Sequence, residues 1–291
     1  MILLTGGTGS FGRAYIRHLG PNVAVTVYSR DEEKQRRLAL EFGWVRCVVG
    51  DVRDRDRLAW AARGADLIVH AAALKQVPAC ENNPTEALRT NVLGAENAVS
   101  AASAAGARLV ALSTDKAVEP VNAYGATKML AERVVLNGGG SVVRYGNVIG
   151  SRGSVVPVFL AQIGAGQPLT ITDPDMTRFL LTLPQAIALV EKAVSVRPGR
   201  IIVAKPPAAS IATIATALAG PTYPRVIVGS RPGEKRHERL VSASEHAVER
   251  DDHFIVEPGA PAGIDYSSDF APSLDAEALG ALLAQRPHDD L

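Results

Sequence analysis

A phenol and an amine stand four residues apart at Tyr124 and Lys128, just beyond the triplet Thr114-Asp115-Lys116. On a helix that spacing puts both side chains on one face, one turn apart. A free phenol titrates near about 10 and is a poor base at neutral pH. An ammonium held beside it favours the phenolate and brings the group toward the working range. Thr114 adds a hydroxyl, Asp115 a carboxylate and Lys116 a second amine. Taken singly, Asp115 would more often cap a helix and Lys116 would more often be solvated. Side by side at a strand end, facing Tyr124, they complete a proton-transfer set.

The elements that must position these groups can be read around them. Leu109 to Leu112 is a buried strand with the triplet at its carboxyl end, and Asn122 to Val135 is the helix carrying Tyr124 and Lys128. At the start of the chain, Met1 to Leu4 is a strand that runs into Thr5-Gly6-Gly7-Thr8-Gly9-Ser10-Phe11-Gly12 and then a helix to Leu19. Glycines at 6, 9 and 12 allow a tight turn, close approach to a pyrophosphate and close helix packing. The helix N-terminus offers free N–H groups to the phosphates. Gly6, Thr8, Gly9, Ser10, Phe11 and Gly12 are therefore candidate cofactor contacts.

The second strand, Val23 to Tyr28, ends in Ser29-Arg30, where many NAD-binding chains carry an acid. A hydroxyl and a guanidinium, with Lys34 a turn on, suit a 2′-phosphate, which favours NADP over NAD. Asp51 and Val52 follow the third strand, where Asp51 could accept from the adenine amino group and Asp54 could cap the next helix. A fourth strand, Asp66 to His70, leads into Ala71-Ala72-Ala73, small enough for a flat cofactor to lie against backbone. His70 reads as a packed strand-end residue. Lys75, in the loop beyond, is a substrate-contact candidate.

Strand and helix alternate up to Gly150, which predicts an α/β fold with a doubly wound parallel sheet. A helix from Pro84 to Ala105 is apolar on more than one face, which suits burial against the sheet and a second subunit. Beyond Gly150 the texture changes. Ser151-Arg152-Gly153-Ser154 reads as a loop, Val155 to Ile163 as a short helix and Pro184 to Val194 as another. Arg200 to Ala204 reads as a strand returning to the edge of the main sheet. The expected division is a nucleotide-binding domain over 1–150, with 177–204 returning to it, and a smaller substrate-binding region over 151–176 and 205–291.

A chain of 291 residues, 47% apolar, with net charge +1, has ample core and no bias toward nucleic acid or a membrane surface. Two cysteines, Cys47 and Cys80, make no disulfide framework and no metal spacing. With no leader pattern and no bilayer-length apolar run, the expectation is a cytoplasmic protein.

The chain resembles the extended short-chain dehydrogenase/reductase family. Within it, the chain is most similar to the UDP-N-acetylglucosamine 4,6-dehydratases that invert C5. The glycine turn and the Tyr-x-x-x-Lys pair mark only the superfamily. Thr114-Asp115-Lys116, Arg144-Tyr145-Gly146-Asn147-Val148 and Arg231-Pro232-Gly233-Glu234-Lys235 are the specific runs.

The resemblance implies Tyr124 as the base for sugar oxidation. It implies Lys128 on the nicotinamide ribose, Thr114 on the C4 oxygen, and Asp115 and Lys116 in water loss. It further implies Arg178, Arg231 and Glu234 on the UDP part, and Lys75, Asn147 and Val155 along the sugar and diphosphate. The expected assignment is Lys116 as C5 base, provided its pKa is depressed, and Asp115 as acid; the sequence also permits the reverse. The expected partner is a UDP-sugar, and the expected assembly a homo-oligomer. Rival readings are a dehydratase giving a 5,6-alkene, a 4-epimerase, which has no need of the Asp–Lys pair, and an NADP-sensing protein without catalysis.

Overall fold

Most apolar runs in the first half of the chain are short and unbroken, as strands buried on both faces require. The computed structural model describes residues 1–151 and 154–284, so Arg152 and Gly153 of the expected loop lie outside the described residues. Strand and helix alternate as β1 (Ile2–Thr5), α1 (Ser10–Leu19), β2 (Val25–Ser29), α2 (Glu32–Glu41), β3 (Arg46–Val49), α3 (Arg55–Ala61) and β4 (Leu67–His70). Next, α4 (Val77–Asn82) and α5 (Pro84–Leu88) lead through a π turn at Arg89–Leu93 into α6 (Gly94–Ala105). The first half closes with β5 (Arg108–Thr114), α7 (Ala123–Asn137) and β6 (Ser141–Tyr145).

The second half begins with β7 (Asn147–Val148), α8 (Val155–Gly164), β8 (Leu169–Ile171), β9 (Thr177–Leu181) and α9 (Leu183–Ser195). Then come β10 (Ile201–Ala204), β11 (Ala208–Ser210), α10 (Ile211–Ala219) and β12 (Arg225–Ile227). The last described elements are β13 (Arg239–Val241), β14 (Ala247–Glu249), β15 (His253–Val256), β16 (Tyr266–Ser267) and α11 (Ala276–Ala284).

The main sheet has nine strands in the order β14-β15-β10-β6-β5-β4-β1-β2-β3. From β10 to β3 every pairing is parallel, the doubly wound pattern the alternation predicts. Successive residues feed opposite cores: Ile68 enters one with Ala98 of α6 and Val135 of α7, while Val69 enters the other with Ile16 of α1 and Val190 of α9. A third core, with Phe159, Ile171, Ile214 and Leu279, belongs to the smaller unit.

Two expectations are corrected. β10 is not an edge strand, because β15 pairs antiparallel with it and β14 with β15. Residues 247–256, expected in the smaller region, therefore extend the main sheet. Within 177–204, β9 joins β7 and β11 in a small three-stranded sheet instead of returning to the main one. The expected helix from Pro84 to Ala105 is present but carries one wide turn, which has a consequence at the site.

Candidate functional site

The strand order reverses at β1, so the carboxyl ends of β1, β4 and β5 open onto one crevice, the usual ligand position in such sheets. Thr5 and His70, at the ends of β1 and β4, are joined through Oγ1 and Nδ1 at 2.9 Å. His70 is 3% exposed, as expected of a packed strand-end residue, and burial pushes its pKa down to about 3.

At the glycine turn, Gly6 has φ +68°, and a Cβ there would stand 2.8 Å from the amide nitrogen of Ala72. A Cβ on Gly12 would lie 2.4 Å from the Cα of Gly7. A side chain at Gly6 would push the turn off the loop after β4, and one at Gly12 would force the turn and α1 apart. Gly9 caps α1 without a side-chain hydrogen bond, and the first turn carries no acid, whereas Asp31 caps α2 and Asp54 caps α3. The uncapped N–H groups at α1, beside a turn that only glycine fits, suit the pyrophosphate of a dinucleotide. Phe11 stacks on Tyr15 at 5.6 Å and packs on the core, so it offers the cofactor backbone rather than ring. Val52 is 5% exposed and turned inward, and it too offers only backbone.

At the adenosine end, Arg30 is more than half exposed and 3.8 Å from Asp51. Lys34 is paired with Asp31 at 2.5 Å. Asp51 is bound by Arg53 through both backbone N–H and guanidinium; burial works against the charge, but Arg53 and Arg30 hold the carboxyl below its usual range.

The catalytic candidates meet as the spacing implied, but the charges are arranged differently. Asn122 caps α7 through Gly125 N–H, which fixes the turn bearing Tyr124. Lys128 is buried and donates to the Leu112 carbonyl at 2.6 Å. Burial brings its pKa down to about 8, against the pull of Glu132. The cation with the largest effect on the phenol is Lys116. Burial raises the Tyr124 pKa, Lys116 and a hydrogen bond with Thr114 lower it, and the balance leaves it at about 12. The phenolate expected from the Lys128 spacing is therefore not what this structure favours.

Lys116 is corrected as well. Its Nζ lies 3.1 Å from Asp115 Oδ1 and 3.1 Å from Glu238 Oε1. Burial lowers its pKa, but the two carboxylates outweigh that and hold it above the ordinary lysine value. The condition set for Lys116 as a resting base is not met, because the group is kept as ammonium. Thr114 Oγ1 donates to Asp115 Oδ1 at 2.8 Å. Asp115 Oδ2, Asn147 Oδ1 and Glu238 Oε2 are buried without a hydrogen-bond partner, although Lys235 Nζ lies 3.9 Å from the last. Unpartnered buried acceptors are costly, which marks them as places for a ligand's hydroxyls or protons.

Arg178, on β9, reaches the cluster from the smaller unit. The Arg178 guanidinium donates to the carbonyls of Thr177 and Arg236, and its charge is felt at Lys116. Arg231 and Glu234 form a self-closing turn, with the Arg231 N–H donating to the Glu234 carboxylate at 3.1 Å. Lys75 is exposed in the loop after β4, and Val155 opens α8.

Sequence reading missed three contributors. Glu238 follows the Arg-Pro-Gly-Glu-Lys run but looked like an ordinary charge. Asn91 sits in the π turn, accepts from Leu74 N–H at 2.8 Å and donates to the Leu74 carbonyl and to Thr127 Oγ1. It thereby ties the loop after β4 to α7; such wide turns often mark functional places. Asn122, besides capping α7, donates to the Gly233 carbonyl at 2.7 Å.

The family described as polysaccharide biosynthesis protein matches residues 2–258. A UDP-N-acetylglucosamine 4,6-dehydratase (inverting) from Campylobacter jejuni is 41% identical, with 93% of this chain and 86% of that protein covered. A UDP-glucose 4-epimerase from Rickettsia typhi is 45% identical over 84% of this chain and 79% of its own length. Among solved structures, Pen from Bacillus thuringiensis superposes with a TM-score of 0.92 at 34% identity, covering 98% of both chains.

Proposed function

The chain belongs to the polysaccharide biosynthesis protein family, of extended short-chain dehydrogenase/reductase type, and from that premise we propose that it is a nucleotide-sugar 4,6-dehydratase acting on UDP-N-acetylglucosamine. One observation carries the reading. Thr114, Asp115 and Lys116 share one hydrogen-bonded and ion-paired cluster whose charges act on Tyr124, with unpartnered acceptor oxygens beside it. Oxidation at C4 alone needs a phenol and a hydroxyl. Elimination across C5 and C6 needs an acid and a base as well, and the cluster supplies them.

Gly6, Thr8, Gly9, Ser10, Phe11 and Gly12 hold the pyrophosphate, Ala71, Ala72 and Ala73 line the nicotinamide side, and Lys128 takes the ribose. NADP is preferred through Ser29, Arg30 and Lys34. The nicotinamide, when bound, supplies a reversible hydride acceptor for C4. Tyr124 handles the C4 hydroxyl proton. The ketone acidifies C5–H, and Lys116 is the C5 base with Asp115 as acid at the C6 oxygen. That assignment uses the same proton count as the observed ion pair: one proton lies between Nζ and the carboxylate, and it must move off Nζ before C5 reacts. Arg178, Arg231 and Glu234 hold the UDP part, and Lys75, Asn147 and Val155 line the sugar and diphosphate.

Leu88, Leu93 and Leu130 stand exposed along α5, the π turn and α7, which supports a homo-oligomer packed through these helices. No helix among the described residues is long and apolar enough to cross a membrane. Substrate and cofactor of these classes are met in the cytoplasm.

The test is mass spectrometry after incubation with UDP-N-acetylglucosamine and NADP. Loss of one water is expected, with a C4 ketone and a C6 methyl by NMR. The epimerase-named relative favours a second reading, 4-epimerisation, in which mass is conserved. An exocyclic alkene at C5–C6 would instead show that hydride returns to C4.

A further inference from the structure

Residues 233–238 run back along the stretch that holds the proton-transfer groups and are tied to it at three points. The Gly233 carbonyl accepts from Asn122 Nδ2 at 2.7 Å, Lys235 Nζ donates to the Val118 carbonyl, and Glu238 Oε1 lies 3.1 Å from Lys116 Nζ. The partners descend from Asn122 through Val118 to Lys116 as the segment ascends, so the two stretches lie side by side in opposite directions. Ser268 fixes Glu238 from the other side: its Oγ accepts from the Glu238 N–H at 2.9 Å, and its own N–H donates to the Glu238 carbonyl at 2.8 Å.

Lys235, in the middle of this segment, has no part in the reaction as described so far. Its side chain is largely buried, which a lysine seldom is without a partner. Burial lowers its pKa and Lys116 adds to that, while Glu238, Asp115 and Glu119 work the other way. Its ammonium lies 3.9 Å from Glu238 Oε2, the oxygen that has no hydrogen bond. The Glu238 carboxylate therefore stands between two ammonium groups, with Lys116 at Oε1 and Lys235 toward Oε2. Asp115 lies 3.1 Å from Lys116 in the same cluster, and Arg178 on β9 and Tyr124 on α7 also face it. We propose that Lys235 is a positioning residue for the C5 base: it holds Glu238 by the far oxygen and offsets part of that carboxylate's charge, so that Lys116 can pass its proton to Asp115. This rests on the dehydratase reading above.

In that reading an N–H bond of Lys116 breaks as an O–H bond forms on Asp115, leaving an amine and a carboxylic acid. The amine takes the C5 proton, and the C5–H electron pair becomes the double bond as the C6–O bond breaks. The Asp115 proton leaves with the C6 oxygen as water, so the pair ends as it began, ammonium beside carboxylate. Only the first transfer works against Glu238, because it takes positive charge away from an anion. A carboxylate 3.1 Å from Nζ and facing no other cation would hold that proton firmly, and a second cation on the same carboxylate weakens the hold.

The test follows, against pH, the rate at which solvent deuterium enters C5 of the sugar, using the full-length protein with NADP and UDP-N-acetylglucosamine. Lys235→Met leaves Glu238 wholly to Lys116, so the acid limb should move to higher pH by roughly one unit, and labelling below it should fall about tenfold. Lys235→Arg keeps a cation and should hold the limb near that of the parent. Adding Lys235→Met to Glu238→Gln should leave the limb where Glu238→Gln alone puts it. That double variant strands no charge, so it stays readable even if Lys235→Met alone does not fold. A limb unmoved in Lys235→Met, with labelling lowered evenly at every pH, would reduce Lys235 to an anchor for the Val118 carbonyl and overturn the proposal. So would equal displacement in Lys235→Met and Lys235→Arg, or a shift that persists in the Glu238→Gln background. A parent that forms no dehydrated product is a separate result: it overturns the dehydratase reading itself.

Discussion

Glu238 Oε1 stands 3.1 Å from Lys116 Nζ, joining the residue before β13 to the end of β5. Glu238 is 2% exposed, and its charge helps keep Lys116 protonated. In Glu238→Gln one of the two anions facing Lys116 is gone, so the Lys116 pKa falls. Because the base role needs free amine, the acid limb of the kcat–pH profile should move to lower pH. A hydrogen bond to a charged group is worth about 1.5–3 kcal/mol, which corresponds to a shift of roughly one to two pH units. An unmoved limb would show that Glu238 does not set the charge of Lys116.

Lys116 itself is tested by exchange. The parent enzyme in deuterated water should place deuterium at C5 of the product. Lys116→Ala should lose that label while C4 oxidation persists. Normal labelling in the variant would remove Lys116 from the base role.

Lys128 gives a stability signature without substrate. Its folded pKa of about 8 lies below the ordinary 10.5. Between those values the unfolded chain holds more protons, so stability rises with pH across that window and the burial penalty is full below it. The difference between parent and Lys128→Met in urea unfolding should change by roughly 3 kcal/mol from one end of the window to the other. A flat difference would show that the amine is not desolvated. Lys116, raised rather than lowered, keeps its contribution throughout and loses it only above 10.5.

Arg144, 1% exposed, is gripped by two carboxylates: Glu132 on α7, at 3.0 and 2.7 Å, and Glu245 before β14, at 3.0 and 2.9 Å. Ser113 donates to the same Glu132 carboxylate at 2.6 Å. Arg144→Leu leaves two buried acids uncompensated and should cost about 3–5 kcal/mol in urea unfolding. A loss under about 1 kcal/mol, the range of an exposed pair, would contradict the burial.

Arg30→Ala should weaken NADP binding by roughly 10- to 100-fold and leave NAD nearly unchanged, since only the 2′-phosphate needs the guanidinium. Equal weakening of both in fluorescence titrations would show that Arg30 does not read the 2′ position.

What could be read from the sequence was whatever a few neighbouring residues decide. The glycine turn, the strand ending in Thr114-Asp115-Lys116 and the helix bearing Tyr124 and Lys128 each depend on local pattern, and each is where expected. The charge logic was misread because it is not local. Whether Lys116 is acid or base depends on Glu238, which arrives from another unit. Arg144 was noticed as part of a motif, but its burial is decided by Glu132 and Glu245 together. The strands at 247–256 were missed because both are short and flanked by charges, and only the open side of β10 gives them a partner.

That last pairing sets a limit on how the chain can be divided. Synthesis makes β10 well before β15, so the nascent polypeptide carries a raw hydrogen-bonding edge until the final stretch emerges. A fragment stopped after Ala204 would hold every residue of the glycine turn and the Tyr–Lys pair, yet would offer that unsatisfied strand to any neighbour. The nucleotide half cannot be borrowed as a free-standing module unless the 247–256 hairpin goes with it.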